Sequence, residues 1–280
     1  MAEALPVYVV HWNAPEWARS TTDSILRSSI PVRVTVVDNG PPGTQLALDE
    51  RVHVAESGGN LGYAGGANVG VAQWLAGDDE FCVIACHDVR VDAGTLERLV
   101  DVARANPEYG ILAPAPVANV VSGPVLATSA AINDVGWASG TCLLLRRKCI
   151  EQVGPFDATF GSYGEDQDLC LRARAARWKV GLVVGAPVRG EGSVDPGFRT
   201  QMYVNQVRLR LKHAGVGPAA KMVVAFPLLA AADASRWLIK RDPTLRRRAS
   251  SRFRAVPAGT RLVWERVRAG APPAKSAGEP

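Results

Sequence analysis

The chain has 280 residues, 47% of them apolar, and a formal net charge of +5. That length suits one large α/β domain with an appendage, or two small domains, and the apolar fraction excludes wholesale disorder. The charge is divided: residues 1–198 carry 15 Lys and Arg against 23 Asp and Glu, and residues 199–280 carry 17 against 4, so an acidic body and a basic tail have different partners or each other.

Residues 5–10 read as a buried strand. Acidic Glu3 precedes them, so this run is not expected to be a signal peptide. No apolar run reaches the roughly 18 residues of a spanning helix, and a cytoplasmic location is expected. Pro15 opens a helix to about Arg27. Residues 32–37 form a second buried strand, ending in Asp38-Asn39-Gly40-Pro41-Pro42, and residues 51–56 a third. This alternation implies a parallel sheet with right-handed crossovers, whose ligands sit beyond the carboxyl ends of the strands. Asp38 stands at such an end, where an Asx-turn residue is equally at home.

Residues 58–70 hold six glycines in thirteen and feed a helix to about Leu75. Exposed backbone N–H groups at a helix start suit a diphosphate or a ribose, although neither the dinucleotide fingerprint nor the P-loop is present. The alternative is a flexible turn before a tightly packed helix. Residues 81–85 are a fourth strand, followed by Cys86-His87-Asp88. A carboxylate at this strand end can hold a divalent cation against phosphate oxygens. Asp92 reads as the N-cap of a helix over residues 93–105. Residues 111–116 and 124–132 are further strands, read as a hairpin. The five cysteines, at 82, 86, 142, 149 and 170, are expected as buried reduced thiols, because Cys82, Cys86 and His87 lack a fourth zinc ligand.

A strand over residues 137–147 begins with small residues that leave room for a ligand. The stretch Gly161-Ser162-Tyr163-Gly164-Glu165-Asp166-Gln167-Asp168 then places three carboxylates in four residues at the start of a helix running to about Trp178. Acids there are favoured by the helix dipole, which is the plain reading. Gly161 and Gly164 let a ligand approach the backbone, and Phe156, Phe160 and Tyr163 add the aromatic surface that a sugar site uses. Residues 179–184 form the last strand.

Residues 202–213 read as an amphipathic helix, and residues 221–232 as an apolar run around Pro227, too short to span. Arg236, Arg246, Arg247, Arg248, Arg252 and Arg254 follow. An apolar helix face beside many Arg is attracted to anionic lipid, which predicts peripheral attachment through residues 216–268. A basic helical hairpin packing on the acidic body is the alternative. No nucleic acid is expected, because no recognisable module is present.

Taken in order, Val36-Val37-Asp38-Asn39-Gly40, residues 60–70, Asp88-Val89, the strand from Trp137, and Gly164-Glu165-Asp166-Gln167-Asp168-Leu169-Cys170-Leu171-Arg172 resemble the family 2 glycosyltransferases, and within them the bacterial rhamnosyltransferase-like branch. The resemblance implies a GT-A fold, a Rossmann-like α/β domain with a mostly parallel sheet, over residues 1–215. A basic helical extension would occupy residues 216–268, and a disordered tail residues 269–280. It implies an inverting glycosyltransferase that moves a sugar from a UDP- or dTDP-sugar to a hydroxyl of a glycan, lipid-linked or small-molecule acceptor. By resemblance, Asp38 binds the base, Asn60 and Gly62 line the nucleotide site, and Asp88 is the surviving acid of the metal element for Mg2+ or Mn2+. Asp166 is the general base, Glu165 and Asp168 position the acceptor or orient that base, and Trp137 borders the sugar. The chain departs from the family where a His is usual and Arg189 stands. A guanidinium is no metal ligand but a good phosphate partner, so Arg189 is expected to neutralise part of the leaving diphosphate. The family's late Tyr-x-x-x-Asn-like helix has its counterpart in Tyr203 and Asn205 at shorter spacing. A nucleotidyltransferase would want a Gly-rich signature and a Lys near the first strand, and residues 8–20 show neither. A silent sugar-nucleotide-binding or scaffold protein is kept open by the altered metal element and opposed by the intact acid cluster.

Overall fold

The computed structural model describes residues 4–41, 43, 46–118, 123–190 and 198–270. The expected tail beyond Gly270, Glu191 and its neighbours in the Arg189 loop, and part of the expected acceptor loop at 117–132 lie outside the described residues. The chain divides into two units, one of Met1–Gly161 with Glu165–Gly192, the other of Ser162–Gly164 with Ser193–Pro280.

The first unit runs β1 (Leu5–His11), α1 (Pro15–Leu26), β2 (Val32–Asp38), β3 (His53–Glu56), α2 (Gly62–Leu75), β4 (Phe81–Cys86), β5 (Val89–Val91), α3 (Thr95–Ala105), β6 (Tyr109–Ala118), β7 (Val125–Thr128), β8 (Ile132–Val135), β9 (Cys142–Arg146), α4 (Arg147–Val153), α5 (Glu165–Ala175) and β10 (Lys179–Gly190). One mixed sheet has the order β3-β2-β1-β4-β9-β6-β10-β8-β7, with β5 paired to β10. Its half β3-β2-β1-β4 is parallel, and β9 is inserted antiparallel beside β4. This is the expected α/β class.

Every residue of β1 is buried, as a strand covered on both faces must be. Leu5, Val7 and Val9 join α1 and α3 in one core layer, while Tyr8 and Val10 join α2, α4 and α5 in the other. The period-2 alternation of the strand sends neighbouring side chains to opposite layers.

Three expectations are corrected. The hairpin is β7–β8, not a pair made with β6; β6 lies between β9 and β10. The last strand continues past Val184 to Gly190, with Gly185 at φ +79° in its irregular middle, so Arg189 lies on a strand opposite Arg90. Asp92 does not cap α3, whose N-cap is Gly94.

The second unit packs α6 (Phe198–His213), α7 (Val216–Lys240) and α8 (Pro243–Arg268) around Val204, Val207, Leu211, Val223, Phe226 and Ala255. By packing, α6 therefore groups with the two following helices, whereas the sequence reading attached it to the domain ending at 215. The apolar run around Pro227 was expected to be too short to span. The structure corrects this: α7 has 25 residues and is long and apolar enough to cross a membrane, because the helix continues through the proline and well beyond the run.

Candidate active site

The parallel register places His11 beside Asp38 at the carboxyl ends of β1 and β2. Both are buried, at 1% and 7% exposure. The Ala14 N–H donates to His11 Nε2 at 3.0 Å, so that nitrogen carries no proton. The proton is then on Nδ1, which donates to Asp38 Oδ1 at 2.9 Å, and the Gly40 N–H donates to the same oxygen at 2.8 Å. One carboxylate oxygen is thus fixed by two donors, and Oδ2 makes no hydrogen bond among the described residues. Asp38 lines a shallow cleft with Gly40, Pro41, Gly43, Glu56, Gly58 and Gly59. His11 was not singled out from sequence; a polar residue closing an otherwise apolar strand was the available signal.

The glycine-rich stretch is used mainly for close packing. Asn60 is exposed, and its Oδ1 accepts the Gly62 N–H at 2.9 Å. Gly62 has φ +70°, and a Cβ there would stand 2.6 Å from the Gly161 carbonyl oxygen. The Ala64 N–H donates to that same oxygen at 2.8 Å. One turn apart on α2, Gly66 abuts Asn39 and Val10, and Gly70 abuts the Tyr8 ring. Two donors at the start of α2 therefore already have protein acceptors, which takes them from any diphosphate.

The acidic side is built on Gly140. Its N–H donates to Asp166 Oδ2 at 2.9 Å, and its carbonyl accepts the Tyr63 hydroxyl. The Cys86 N–H donates to the Thr141 carbonyl at 2.9 Å, tying β4 to the same segment. A Cβ at Gly140 would meet the Tyr63 ring at 3.2 Å and the Asp166 Cβ at 3.5 Å. The room left by the small residues is thus filled by Tyr63 and the base candidate. Burial pushes the Cys86 thiol well up, and the charges of Asp88, Glu165 and Asp166 push it further. The same desolvation, with the Cys86, Glu165 and Asp166 charges, holds the Tyr63 phenol protonated. Asp88 from the β4–β5 turn and Glu165 and Asp166 of α5 are therefore within charge range of Cys86.

The acids of α5 differ sharply. Asp166 is half-buried. Asp168 is 0% exposed and accepts from Arg172 Nε at 2.8 Å. The Arg172 guanidinium also donates to the carbonyls of Val153, Gly154 and Pro155. Through Arg172, Asp168 thus holds the loop at residues 153–155. Glu165 is 4% exposed.

Trp137 is half-buried and packs on Gly123, where a Cβ would lie 2.5 Å from Trp137 Cδ1. Arg189 meets Asp92 at 3.4 Å and is 56% exposed. All five cysteines are free thiols, and among the described residues no group of three His, Cys, Asp or Glu could hold a metal. In the second unit, buried Asn205 donates to the carbonyls of Ser162 and Tyr163 at 2.9 and 2.7 Å. It fixes Tyr163 in the left-handed region, at φ +72°, directly before the acidic turn.

Tyr63→Phe removes the donor to Gly140 and leaves its carbonyl under-satisfied. We expect kcat to fall about fivefold with donor KM unchanged, since one neutral hydrogen bond contributes about 1 kcal/mol. Steady-state kinetics check this; a change confined to KM would show that Tyr63 touches the donor instead.

A parallel half-sheet with a fixed carboxylate at its second strand end, and an acid-bearing helix start set against an inserted antiparallel strand, is the arrangement of the GT-A fold, which the solved structures below share. No protein-family model matches the chain. It is 32% identical over 233 residues, 67% of this chain and 76% of the relative, to the N-acetylglucosaminyl-diphospho-decaprenol L-rhamnosyltransferase of Mycobacterium tuberculosis. A low-salt glycan biosynthesis hexosyltransferase of Haloferax volcanii is 23% identical over 204 residues, 65% of each chain. Among solved structures, a mannosyltransferase of Pyrobaculum calidifontis in complex with GDP-Man and Mn2+ superposes with a TM-score of 0.58 at 15% identity, covering 93% of this chain and 87% of that one. The chain belongs to the family 2 glycosyltransferases, in their rhamnosyltransferase-like branch.

Proposed function

We propose that this glycosyltransferase moves a sugar from a UDP- or dTDP-sugar to a hydroxyl of a lipid-linked acceptor, with inversion and with Asp166 as general base. The observation that carries this reading is the Asp166 carboxylate, half-exposed on the first turn of α5, with Oδ2 held by the Gly140 N–H and Oδ1 by the Gln167 N–H. A carboxylate so held can take the acceptor proton while the hydroxyl oxygen forms its bond to the anomeric carbon. The bond from that carbon to the diphosphate breaks on the opposite face, and the nucleoside diphosphate leaves with the electron pair. Asp38, which lines the cleft and whose Oδ2 makes no hydrogen bond among the described residues, is the partner for an N–H of the base. The lipid-linked acceptor is suggested by the name of the mycobacterial relative. The test is the anomeric configuration of the product by NMR against that of the donor; retention would remove the single-displacement scheme.

A divalent cation fits this site in one way. Asp88 is a single half-exposed carboxylate in a turn, and Mg2+ accepts one or two carboxylates completed by substrate phosphates. Bound there, the ion would offset charge on the leaving diphosphate. Arg189, on a strand end and loosely paired to Asp92, would add its own charge to that task. With one protein ligand, cation affinity should depend on the nucleotide. Calorimetric titration of Mn2+ is expected to show tight binding only in the presence of nucleoside diphosphate. Equal binding without it would mean a protein-built site elsewhere.

The exposed apolar side chains of α7 and α8, among them Val224, Leu228, Ile239, Phe253 and Trp264, lie in a segment with 16 Lys and Arg against 3 Asp and Glu over residues 198–270. This supports attachment to an anionic membrane face, with the protein on the cytoplasmic side.

A further inference from the structure

The helical unit holds a groove that the reaction above does not use. Tyr203 and Arg210 of α6 and Lys221, Met222, Phe226 and Leu229 of α7 line it. Its volume is about 360 Å³, within the range of small-ligand sites. The floor is apolar: Phe226 is buried, Met222 is half-buried, and the Tyr203 ring meets Phe226 edge-on at 5.6 Å.

The cations around it are of two kinds. Arg252 pairs with the buried carboxylate of Asp233 and lies over the Tyr203 ring, 5.4 Å from its centroid. Its charge is spent inside the bundle. Arg210 and Lys221 are exposed, and neither has an ion-pair partner among the described residues. The groove thus has an apolar floor and two uncompensated positive charges at its rim. Val224 and Leu228, 70% and 72% exposed, lie at i+3 and i+7 from Lys221 and carry the apolar surface along α7 beyond the rim.

We propose that this groove holds the prenyl diphosphate of a lipid-linked acceptor, with Arg210 and Lys221 on the phosphates and Tyr203, Met222, Phe226 and Leu229 against the first isoprene units. This rests on the lipid-linked acceptor proposed above and names where its carrier is held. Charge complementarity selects the occupant: a diphosphate satisfies both free cations, and a branched apolar chain suits the Met, Phe and Leu floor. A bilayer surface would use the outward stripes of α7 and α8 and leave the groove unfilled.

The test is calorimetry on the full chain with farnesyl diphosphate below its micellar concentration. Inorganic diphosphate, farnesol, and vesicles of phosphatidylglycerol and phosphatidylcholine are titrated separately. Farnesyl diphosphate is expected to bind with one site per chain, and inorganic diphosphate and farnesol each at least about tenfold more weakly. Arg210→Glu combined with Lys221→Glu should weaken farnesyl diphosphate at least about tenfold, because both charge-assisted contacts become repulsive. Both positions are exposed, so circular dichroism should show an unchanged fold. Absent binding, binding no tighter than inorganic diphosphate, or an unchanged double variant overturns the proposal. So does a double variant that loses vesicles and keeps farnesyl diphosphate. Binding is read without donor, so Asp166→Asn must retain it. If farnesyl diphosphate fails to bind while Asp166→Asn abolishes transfer, the groove assignment alone falls. If it binds while Asp166→Asn still transfers, the base assignment alone falls.

Discussion

Asp166→Asn is expected to cut transfer by about 10²–10⁴-fold, the range a positioned general base contributes, while nucleotide-sugar affinity stays within about twofold. Asp166 Oδ2 accepts the Gly140 N–H at 2.9 Å and Oδ1 the Gln167 N–H at 2.7 Å. An Asn carbonyl oxygen can keep the Gly140 contact, which ties α5 to the strand-side segment, and gives up the one to Gln167. That contact contributes about 1 kcal/mol, and the larger loss is the capacity to take a proton. Donor affinity is read by calorimetry and turnover by product formation under saturating donor. Turnover within tenfold of the parent would remove Asp166 as the base.

Asp168→Ala should behave in the opposite way, although the residue lies only two positions further on. Its carboxylate is fully buried and paired with Arg172, which itself holds three loop carbonyls. Removing one partner of a buried pair leaves the other charge uncompensated, at a cost of about 3–5 kcal/mol. Arg172 keeps 19% side-chain exposure, which places the expectation near the lower end. For a chain of this size that corresponds to a fall in Tm of about 6–12 °C. A parallel substitution of both partners, Asp168→Leu with Arg172→Met, should recover part of the loss. An unchanged Tm with transfer abolished would instead make Asp168 a substrate-facing residue.

These two acids show where sequence reading stops. Glu165, Asp166 and Asp168 share one local signal, acids in a first helical turn, and the pattern cannot rank them. Two residues on a helix are about 200° apart, so Asp166 and Asp168 point to opposite sides. Only the packed neighbours say which side is loop and which is open. The glycines of residues 58–70 are a second case. They suited a diphosphate or a ribose, with a tightly packed helix as the alternative, and Asn39, Val10 and Tyr8 against Gly66 and Gly70 decided in favour of packing. Asn68 in the same stretch turned out to grip the backbone of Phe156 from both sides, at 2.8 and 3.0 Å.

The alternation of strands and helices from β1 to β4, the parallel half-sheet, the place of Asp38 at a strand end and the acid-opened helix were determined by the sequence alone. Strand and helix periodicities and turn residues are local signals, and a strand apolar on both sides can only be covered on both sides. The tertiary structure decided the rest: His11 on Asp38, Tyr63 and Asp166 meeting at Gly140, Asn205 bonded to the turn at Ser162 and Tyr163, and a groove whose Arg210 and Lys221 have no ion-pair partner among the described residues. Each of these joins residues across a register, a crossover or a bundle. Such pairings are set by how whole elements pack, and no local run of residues encodes them.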